Sequence, residues 1–220
     1  MFSKKWPTQE WKDYLSLVKE RPESFRQSDN LRIILDENEV KQFCKRTGRK
    51  IGVAYRSNFN LMVVDLVKDA KGNVFPYERV MPAVEKGSVV TVPLCDGKYV
   101  LLRQYRHALR QEQYAFPRGF GEEGLTAEEN AKKEIFEELG AEVLSTEPVG
   151  SVVADSGMRG GAAEVIVCKI DKFELKKDYE GIKELVLLSE DELQDWLRSG
   201  RIDDGYTLSA IALLKAKGIK

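Results

Sequence analysis

The stretch GFGEEGLTAEENAKKEIFEELG, residues 119–140, decides what this chain folds into and what it is able to bind. It places Glu134, Glu137 and Glu138 at positions i, i+3 and i+4, so a helix would carry all three carboxylates on one face. Like charges at this spacing repel each other, and bound cations would offset the repulsion. Mg²⁺ is the natural candidate because it prefers oxygen ligands. The stretch therefore predicts a helix that binds a divalent cation.

The ends of this helix are marked in the sequence. Thr126 and Glu129 have the spacing of a capping box, which starts a helix, and Gly140 suits its C-terminal cap. Ala131, Ile135 and Leu139 form an apolar stripe beside the acidic one. The helix should therefore bury one side against the rest of the domain.

The flanking sequence predicts an α+β protein. Residues 50–106 are rich in Val, Leu and Tyr and are interrupted by turn signals, of which Asp96-Gly97 is a strong hairpin signal. Strands are predicted at 51–56, 60–67, 74–82, 88–94, 98–106, 150–154, 164–170 and 181–189. Helices are predicted at 8–20, 36–46, 190–197 and 207–217.

Composition excludes several classes of function. The 220 residues have a net charge of −1 and contain 42% hydrophobic and 32% charged residues, so no basic field attracts nucleic acid or an anionic membrane. Neither a membrane-spanning run nor a signal peptide is expected. Three separated cysteines (Cys44, Cys95 and Cys168) predict free thiols and a cytoplasmic location. With His107 as the single histidine, catalysis would depend on carboxylates and metal.

The spacing resembles the box of the Nudix hydrolase family, G-x5-E-x7-R-E-U-x-E-E-x-G-U, where U is bulky and aliphatic. Gly119, Gly140 and the three carboxylates match it, and Ile135 fills the first U position. The flanks LLRQYR, FPRG and DDGYT, at residues 101–106, 116–119 and 203–207, are similar to the ADP-ribose (nucleotide-sugar) pyrophosphatase branch. The resemblance covers about residues 50–215.

This resemblance implies a Nudix fold, a mixed β-sheet sandwich flanked by helices, over residues 49–220, with an N-terminal helical and β extension over residues 1–48. It implies Mg²⁺-dependent, or alternatively Mn²⁺-dependent, hydrolysis of the diphosphate linkage in ADP-ribose or another nucleoside diphosphate sugar. It also implies a homodimer joined through the β-rich stretch 50–82.

Particular residues receive roles from the resemblance. Glu134, Glu137 and Glu138 are the implied metal ligands. Glu138 and the loop residue Glu180 are the candidate catalytic carboxylates, with Glu164 and Asp155 as weaker alternatives to Glu180. The candidate substrate-binding residues are Arg103, Arg106, Arg118 and Gly119, because bidentate guanidinium groups suit a diphosphate. A solvated surface role is the alternative for each arginine and for Glu180.

The chain also departs from the pattern. The box expects Glu at 125, Arg at 133 and an aliphatic residue at 141, where this chain has Leu125, Lys133 and Ala141, and Ala115 replaces the usual Glu before Phe-Pro. Lys133 keeps the charge of an arginine but lacks its planar fork of donors. These departures leave two alternatives open: a catalytically weak or inactive protein that binds a nucleotide or a partner, and a scaffold with an acidic surface helix.

Overall fold

A computed structural model describes residues 6–174 and 181–219 of the chain. Five α-helices lie in this described part, and each has a side-chain N-cap. They are α1 (Gln9–Glu20), α2 (Glu37–Thr47), α3 (Ala127–Leu139), α4 (Glu190–Arg198) and α5 (Gly205–Lys217). Within the same residues, no helix is both long and apolar enough to cross a lipid bilayer.

The strands alternate with these helices along the chain. They are β1 (Leu31–Ile33), β2 (Gly52–Arg56), β3 (Asn60–Asp69), β4 (Val74–Pro82), β5 (Val89–Cys95), β6 (Lys98–Arg106), β7 (Gln111–Ala115), β8 (Arg118–Gly119), β9 (Val143–Val152), β10 (Ala163–Ile170) and β11 (Ile182–Leu188). The predicted α+β class with a mixed sheet flanked by helices is confirmed.

The chain divides into two compact units, residues 1–83 with 155–161, and residues 84–154 with 162–220. The first unit contains an antiparallel sheet in which β3 pairs with β4 on one side and with β1 and β2 on the other. Its core is built around the fully buried Trp11, Tyr14 and Leu17 of α1. The predicted domain boundary between residues 48 and 49 falls inside this unit and stays a prediction.

A buried charge group stabilises the first unit. Asp65 on β3 is 2% exposed, and its carboxylate accepts hydrogen bonds from Tyr14 Oη at 2.5 Å and from Arg79 Nε at 2.6 Å. Burial, followed by the adjacent carboxylate, raises the pKa of Tyr14, so the phenol stays protonated. The buried carboxylate is thus fully satisfied within its own unit.

The second unit contains a seven-stranded mixed sheet in the order β11-β6-β5-β10-β9, with β7 added beside β6 and β8 beside β5. β5 and β10 are parallel, and the other pairs are antiparallel. Two cores cover its two faces. Val89 lies in the core that contains α3, whereas the next residue, Val90, lies in the core that contains α4 and α5. The sheet thus separates α3 from α4 and α5.

Most predicted elements are confirmed, and the differences have physical reasons. Of the strand expected at 150–154, residues 150–152 form the end of the longer β9, which passes through Pro148 and Gly150 with a register shift against β10 at that point. β7 was not predicted because its sequence, QEQYA, is largely polar, although it pairs with β6 over its full length. Asp96-Gly97 forms the predicted β5–β6 turn, with φ values of 49° and 72°.

Candidate active site

Helix α3 is fixed at both ends as the sequence predicts. Thr126 accepts a hydrogen bond from the backbone of Glu129, and the Glu129 side chain accepts one from the backbone of Thr126. Gly140 ends the helix in the left-handed conformation, with φ 62°. The apolar residues Ala131, Ile135 and Leu139 are fully buried. The rotation of α3 about its axis, and therefore the placement of its carboxylates, is set by this packing.

Glu134 lies directly against Gly119. A Cβ atom added to Gly119 would stand 2.0 Å from Oε1 and 2.3 Å from Cδ of Glu134. Only glycine therefore lets β8 and the carboxylate of α3 approach this closely. The spacing between Gly119 and Glu134 in the sequence thus corresponds to a direct contact between them in the structure.

The turn after Gly119 is held to α3 by Asn130, a fully buried residue one helical turn before Glu134. Its side-chain Nδ2 donates to the carbonyl oxygens of Phe120 at 2.7 Å and Gly87 at 2.8 Å. Buried hydrogen bonds of this kind restrict the backbone because breaking them leaves polar groups unsatisfied. Asn130 thus ties two backbone segments to the acidic helix.

Glu137 is adjacent to a lysine on its own helix. Lys133 Nζ lies 3.5 Å from Glu137 Oε2 and makes a shorter contact with Glu122, in the turn before the helix. The hydrogen bond to Glu122, with a smaller contribution from Glu137, raises the pKa of Lys133, so the ammonium stays charged at neutral pH. Lys133 therefore places a positive charge beside the acidic face.

Glu138 is the most buried of the three box carboxylates, at 4% exposed. Within residues 6–174 and 181–219, no group of three or more His, Cys, Asp or Glu side chains is gathered closely enough to hold a metal. The chemistry nevertheless fits a hard divalent cation, because the candidate donors are carboxylate oxygens within one helical turn of α3. Glu134, Glu137 and Glu138 are the residues that would hold it.

Arg118 points away from α3. In the pairing of β8 with β5, Arg118 lies opposite Val90 and Gly119 lies opposite Val89. Arg118 and Gly119 therefore face opposite sides of the sheet. Its guanidinium forms an ion pair with Asp204 at 3.1 Å and lies 4.9 Å from the centre of the Tyr206 ring. The structure therefore separates Arg118 from Glu134, although Arg118 is adjacent in sequence to Gly119 and Glu134 contacts that glycine in space.

The other two predicted arginines lie on β6. Arg103 forms ion pairs with Glu112 at 2.6 Å and Glu184 at 2.7 Å, so two carboxylates already neutralise it. Arg106 is three positions further on, at the end of the strand, and so projects from the opposite face. The predicted roles of both in substrate binding stay predictions.

The structure gives different information on each candidate for a second catalytic carboxylate. Glu180 lies outside the described residues. Glu164 on β10 lines an open cavity of about 450 Å³ with the 85–88 segment and the end of β9. Asp155 accepts a hydrogen bond from the backbone of Gly157 at 3.0 Å within the first unit.

Three further residues make contacts that were not predicted from the sequence: Glu122, Asn130 and Thr207. Thr207 Oγ1 accepts a hydrogen bond from the backbone N–H of Phe116 at 3.0 Å, which joins the Phe-Pro segment to α5. A polar Asn next to the apolar Ala131 was a usable signal for Asn130. For Glu122 the sequence offered none, because the turn contains two adjacent glutamates.

Comparison with known proteins agrees with this geometry. Residues 85–204, 120 of the 220 in the chain, match the NUDIX domain family. ADP-ribose pyrophosphatases of Escherichia coli K12 and Shigella flexneri are 25% identical over 202 residues, covering 85% of this chain and 93% of theirs. A solved structure described as an ADP compounds hydrolase superposes with a TM-score of 0.64 at 19% identity, covering 77% of this chain and 94% of the other.

The family match spans the turn at Gly119, the whole of α3 and the sheet that supports them. The superposition supports the same fold independently of sequence. This chain belongs to the Nudix family and is a Nudix hydrolase.

Proposed function

We propose that this Nudix hydrolase cleaves the diphosphate linkage of a nucleoside diphosphate derivative, with ADP-ribose or a related nucleotide sugar as substrate and Mg²⁺ as the metal. The observation that carries the proposal is the contact between Glu134 and Gly119, with the buried Glu138 one helical turn further along α3. The ADP-ribose pyrophosphatases that align over 93% of their length support the choice of substrate.

The residues of the chain have separate roles in this reaction. Glu134, Glu137 and Glu138 bind the metal, and Glu138 and Glu180 are the carboxylates assigned to orienting or deprotonating water. Bound Mg²⁺ supplies charge neutralisation for the diphosphate and the leaving phosphate. Glu138 is 4% exposed, so its neighbours restrict its side chain, which matters because phosphoryl transfer depends mainly on positioning.

Diphosphate binding is assigned to the backbone at Gly119 and to the arginines of β6. Arg118 projects from the sheet face opposite Glu134, so it is assigned no contact with the diphosphate. Arg103 already has two carboxylate partners, so a diphosphate would have to compete with those partners or share the guanidinium. We therefore expect substitution of Arg103 to raise the KM more than it lowers the kcat, because binding rather than chemistry is affected.

The test is turnover of ADP-ribose and a set of sugar nucleotides by the purified chain, with Mg²⁺ and then with a chelator. Glu134→Gln should lower the kcat by about 100-fold or more, since metal stabilisation of the transition state contributes several kcal/mol. Glu128→Gln is the matched control, because it removes one charge from the first turn of the same helix. Turnover that survives both the chelator and Glu134→Gln would overturn the proposal, as would nucleotide binding without any product.

The proposal includes a homodimer joined through residues 50–82. Tyr55 and Phe59, on the hairpin of β2 and β3, are 62% and 58% exposed, and Phe75 on β4 is also exposed. Exposed aromatic side chains are enriched at protein interfaces. A monomeric mass in light scattering at micromolar concentration would contradict this part of the proposal.

A cytoplasmic location is also proposed, on the basis of the cysteines. Cys44, Cys95 and Cys168 are all free thiols. Burial raises the pKa of Cys168 to about 12, so this thiol is protected from oxidation. Fractionation of cells that express the chain, followed by immunoblotting, tests the assignment. Recovery in a secreted or membrane fraction would contradict it.

A further inference from the structure

We infer that Glu122 is a positioning residue for the metal site: through Lys133 it fixes the carboxylate of Glu137. The inference rests on the proposed function, in which Glu137 binds the metal. Lys133 Nζ bridges the two carboxylates, since it contacts Glu122 Oε1 directly and lies 3.5 Å from Glu137 Oε2. The three side chains form a chain of contacts from the turn before α3 to its acidic face.

The contact with Glu122 changes what Lys133 can do. A lysine paired only with a glutamate four residues later has a long, flexible side chain, and such exposed pairs hold neither partner firmly. The second carboxylate lies outside the helix and fixes the ammonium from the other side. Lys133, Glu122 and Glu137 are 37%, 45% and 33% exposed, so water reaches all three side chains, and the two contacts of Lys133 restrict where its ammonium group lies.

The turn that carries Glu122 is itself held in place. Gly121, immediately before it, donates its backbone N–H to Ser88 Oγ at 3.2 Å. The carbonyl of Phe120 accepts the hydrogen bond from the buried Asn130. Glu122 therefore projects from an anchored backbone, unlike a carboxylate on a mobile surface loop.

Close backbone packing supports the same conclusion. A Cβ atom on Gly121 would lie 1.9 Å from the carbonyl oxygen of Lys86, so the turn lies against the segment before β5 without space for a side chain. Because this turn is tightly packed, the backbone of Glu122 is held in place. Its side chain therefore has few conformations that contact Lys133.

The arrangement accounts for two departures from the family pattern together. Position 125, where the pattern has Glu, is Leu125, and the carboxylate that contacts residue 133 comes from Glu122, three residues earlier. Lys133 meets one oxygen of each partner, and a compact ammonium suits single contacts, whereas the planar fork of arginine suits bidentate ones. Relative to the family pattern, the carboxylate that contacts residue 133 lies three positions earlier, and residue 133 is lysine in place of arginine.

The experiment measures Mn²⁺ binding to the full chain without substrate, from the electron paramagnetic resonance signal of free Mn²⁺. Glu122→Gln should weaken Mn²⁺ binding by about 10-fold, the lower end of the range for residues that orient metal ligands. Glu123→Gln is the matched control because it removes the same charge from the neighbouring position, and it should leave the affinity within about 2-fold. The thermal midpoint should be the same for both variants.

A double-substitution cycle separates positioning from a general charge effect. If Glu122 acts through Lys133, then Glu122→Gln added to Lys133→Met should weaken Mn²⁺ binding no further than Lys133→Met alone. Additive losses would overturn the inference, because they would show that Glu122 acts on the metal by its charge. Equal losses from Glu122→Gln and Glu123→Gln would overturn it as well.

The same measurement distinguishes this inference from the proposed function. If Glu134→Gln abolishes Mn²⁺ binding while Glu122→Gln leaves it unchanged, only the positioning role of Glu122 fails. If Glu134→Gln has no effect on binding, the metal site itself, and with it the proposed function, fails.

Discussion

Helices α3 and α4 begin in the same way and end in opposite ways. Both start with a capping box, Thr126 with Glu129 in α3 and Ser189 with Glu192 in α4. The last turn of α4 contains the basic Arg198, whose positive charge interacts favourably with the negative end of the helix dipole.

The last turn of α3 contains Glu137 and Glu138 and no basic residue. Two negative charges at the negative end of a dipole weaken a helix. α4 thus follows the rules that stabilise a helix, whereas α3 breaks one of them at the positions that match the family box. The acidic face of α3 therefore lowers the stability of its helix, as expected if these carboxylates serve the proposed metal binding.

Removing the charge of Glu138 should have the largest effect on the difference between α3 and α4. Glu138→Gln should lower the kcat by about 100-fold or more through loss of a proposed metal ligand. It should also raise the free energy of unfolding by about 0.3–1 kcal/mol, because an acidic group leaves the helix C-terminus. Turnover assays and urea denaturation measure the two effects. Asp195→Asn in α4 is the control and should leave turnover unchanged, and a loss of stability in Glu138→Gln would contradict the interpretation.

The contact between Glu134 and Gly119 gives the next largest effect. Gly119→Ala should displace the Glu134 carboxylate and lower kcat/KM by about 10–100-fold, the range for disturbed metal-ligand orientation. The fold should survive, because the atoms in the way belong to the end of a flexible side chain. Gly205→Ala in α5 is the control, since its Cβ would meet nothing within 4 Å. Equal activity of the two variants would show that the close approach is unnecessary.

The two capping boxes allow a matched test of the helix starts. Thr126→Ala and Ser189→Ala should each lower the free energy of unfolding by about 1 kcal/mol, because each removes an equivalent cap. Only Thr126→Ala should also lower turnover, since the carboxylates proposed to bind the metal lie on α3. Thermal denaturation and steady-state kinetics measure the two quantities. A loss of turnover in Ser189→Ala of the same size would indicate that general destabilisation is responsible.

An ion pair on helix α1 should make the stability of the chain depend on pH, and this is the smallest of the predicted effects. Glu10, in its first turn, pairs with Lys50 at 2.8 Å, and this hydrogen bond is the main reason that its pKa is lowered to about 2. A depressed pKa contributes stability above the ordinary value of 4.5, and this contribution is lost as the pH falls toward about 2.

Glu10→Gln should therefore lower the free energy of unfolding by about 1 kcal/mol at pH 7, after allowance for solvent screening of the exposed lysine. The difference from the parent chain should shrink between pH 4.5 and pH 2 and vanish below it. Urea denaturation at a series of pH values measures this. A difference that is constant with pH would show that the ion pair contributes nothing.

How far the sequence predicts the structure depends on how local each feature is. The caps of α3 were predicted at the correct residues because the side chains that cap a helix lie within four positions of its ends. β4 and β6 were predicted with their observed bounds because apolar residues between turn signals are also local features. β7 was not predicted because it forms a strand through its pairing with β6, and the local sequence of β7 contains no sign of that pairing.

The candidate site shows the same limit. The family spacing identified the three carboxylates and the glycine, but the opposite directions of Arg118 and Gly119 depend on the register of β8 against β5. The contact of Glu122 with Lys133 depends on how a turn of six residues folds back on α3. Tertiary contacts of this kind decide which nearby charges act together, and sequence distance alone does not reveal them.

The parallel pairing of β5 with β10 has a consequence for how the molecule folds. Val89 lies beside Glu164, so this pairing closes a loop of about 75 residues that contains α3. Closing such a loop costs about 4 kcal/mol of chain entropy, whereas the β5–β6 hairpin closes almost at once. The acidic helix should therefore gain its lasting protection from hydrogen exchange late in refolding, after the hairpins and together with β10.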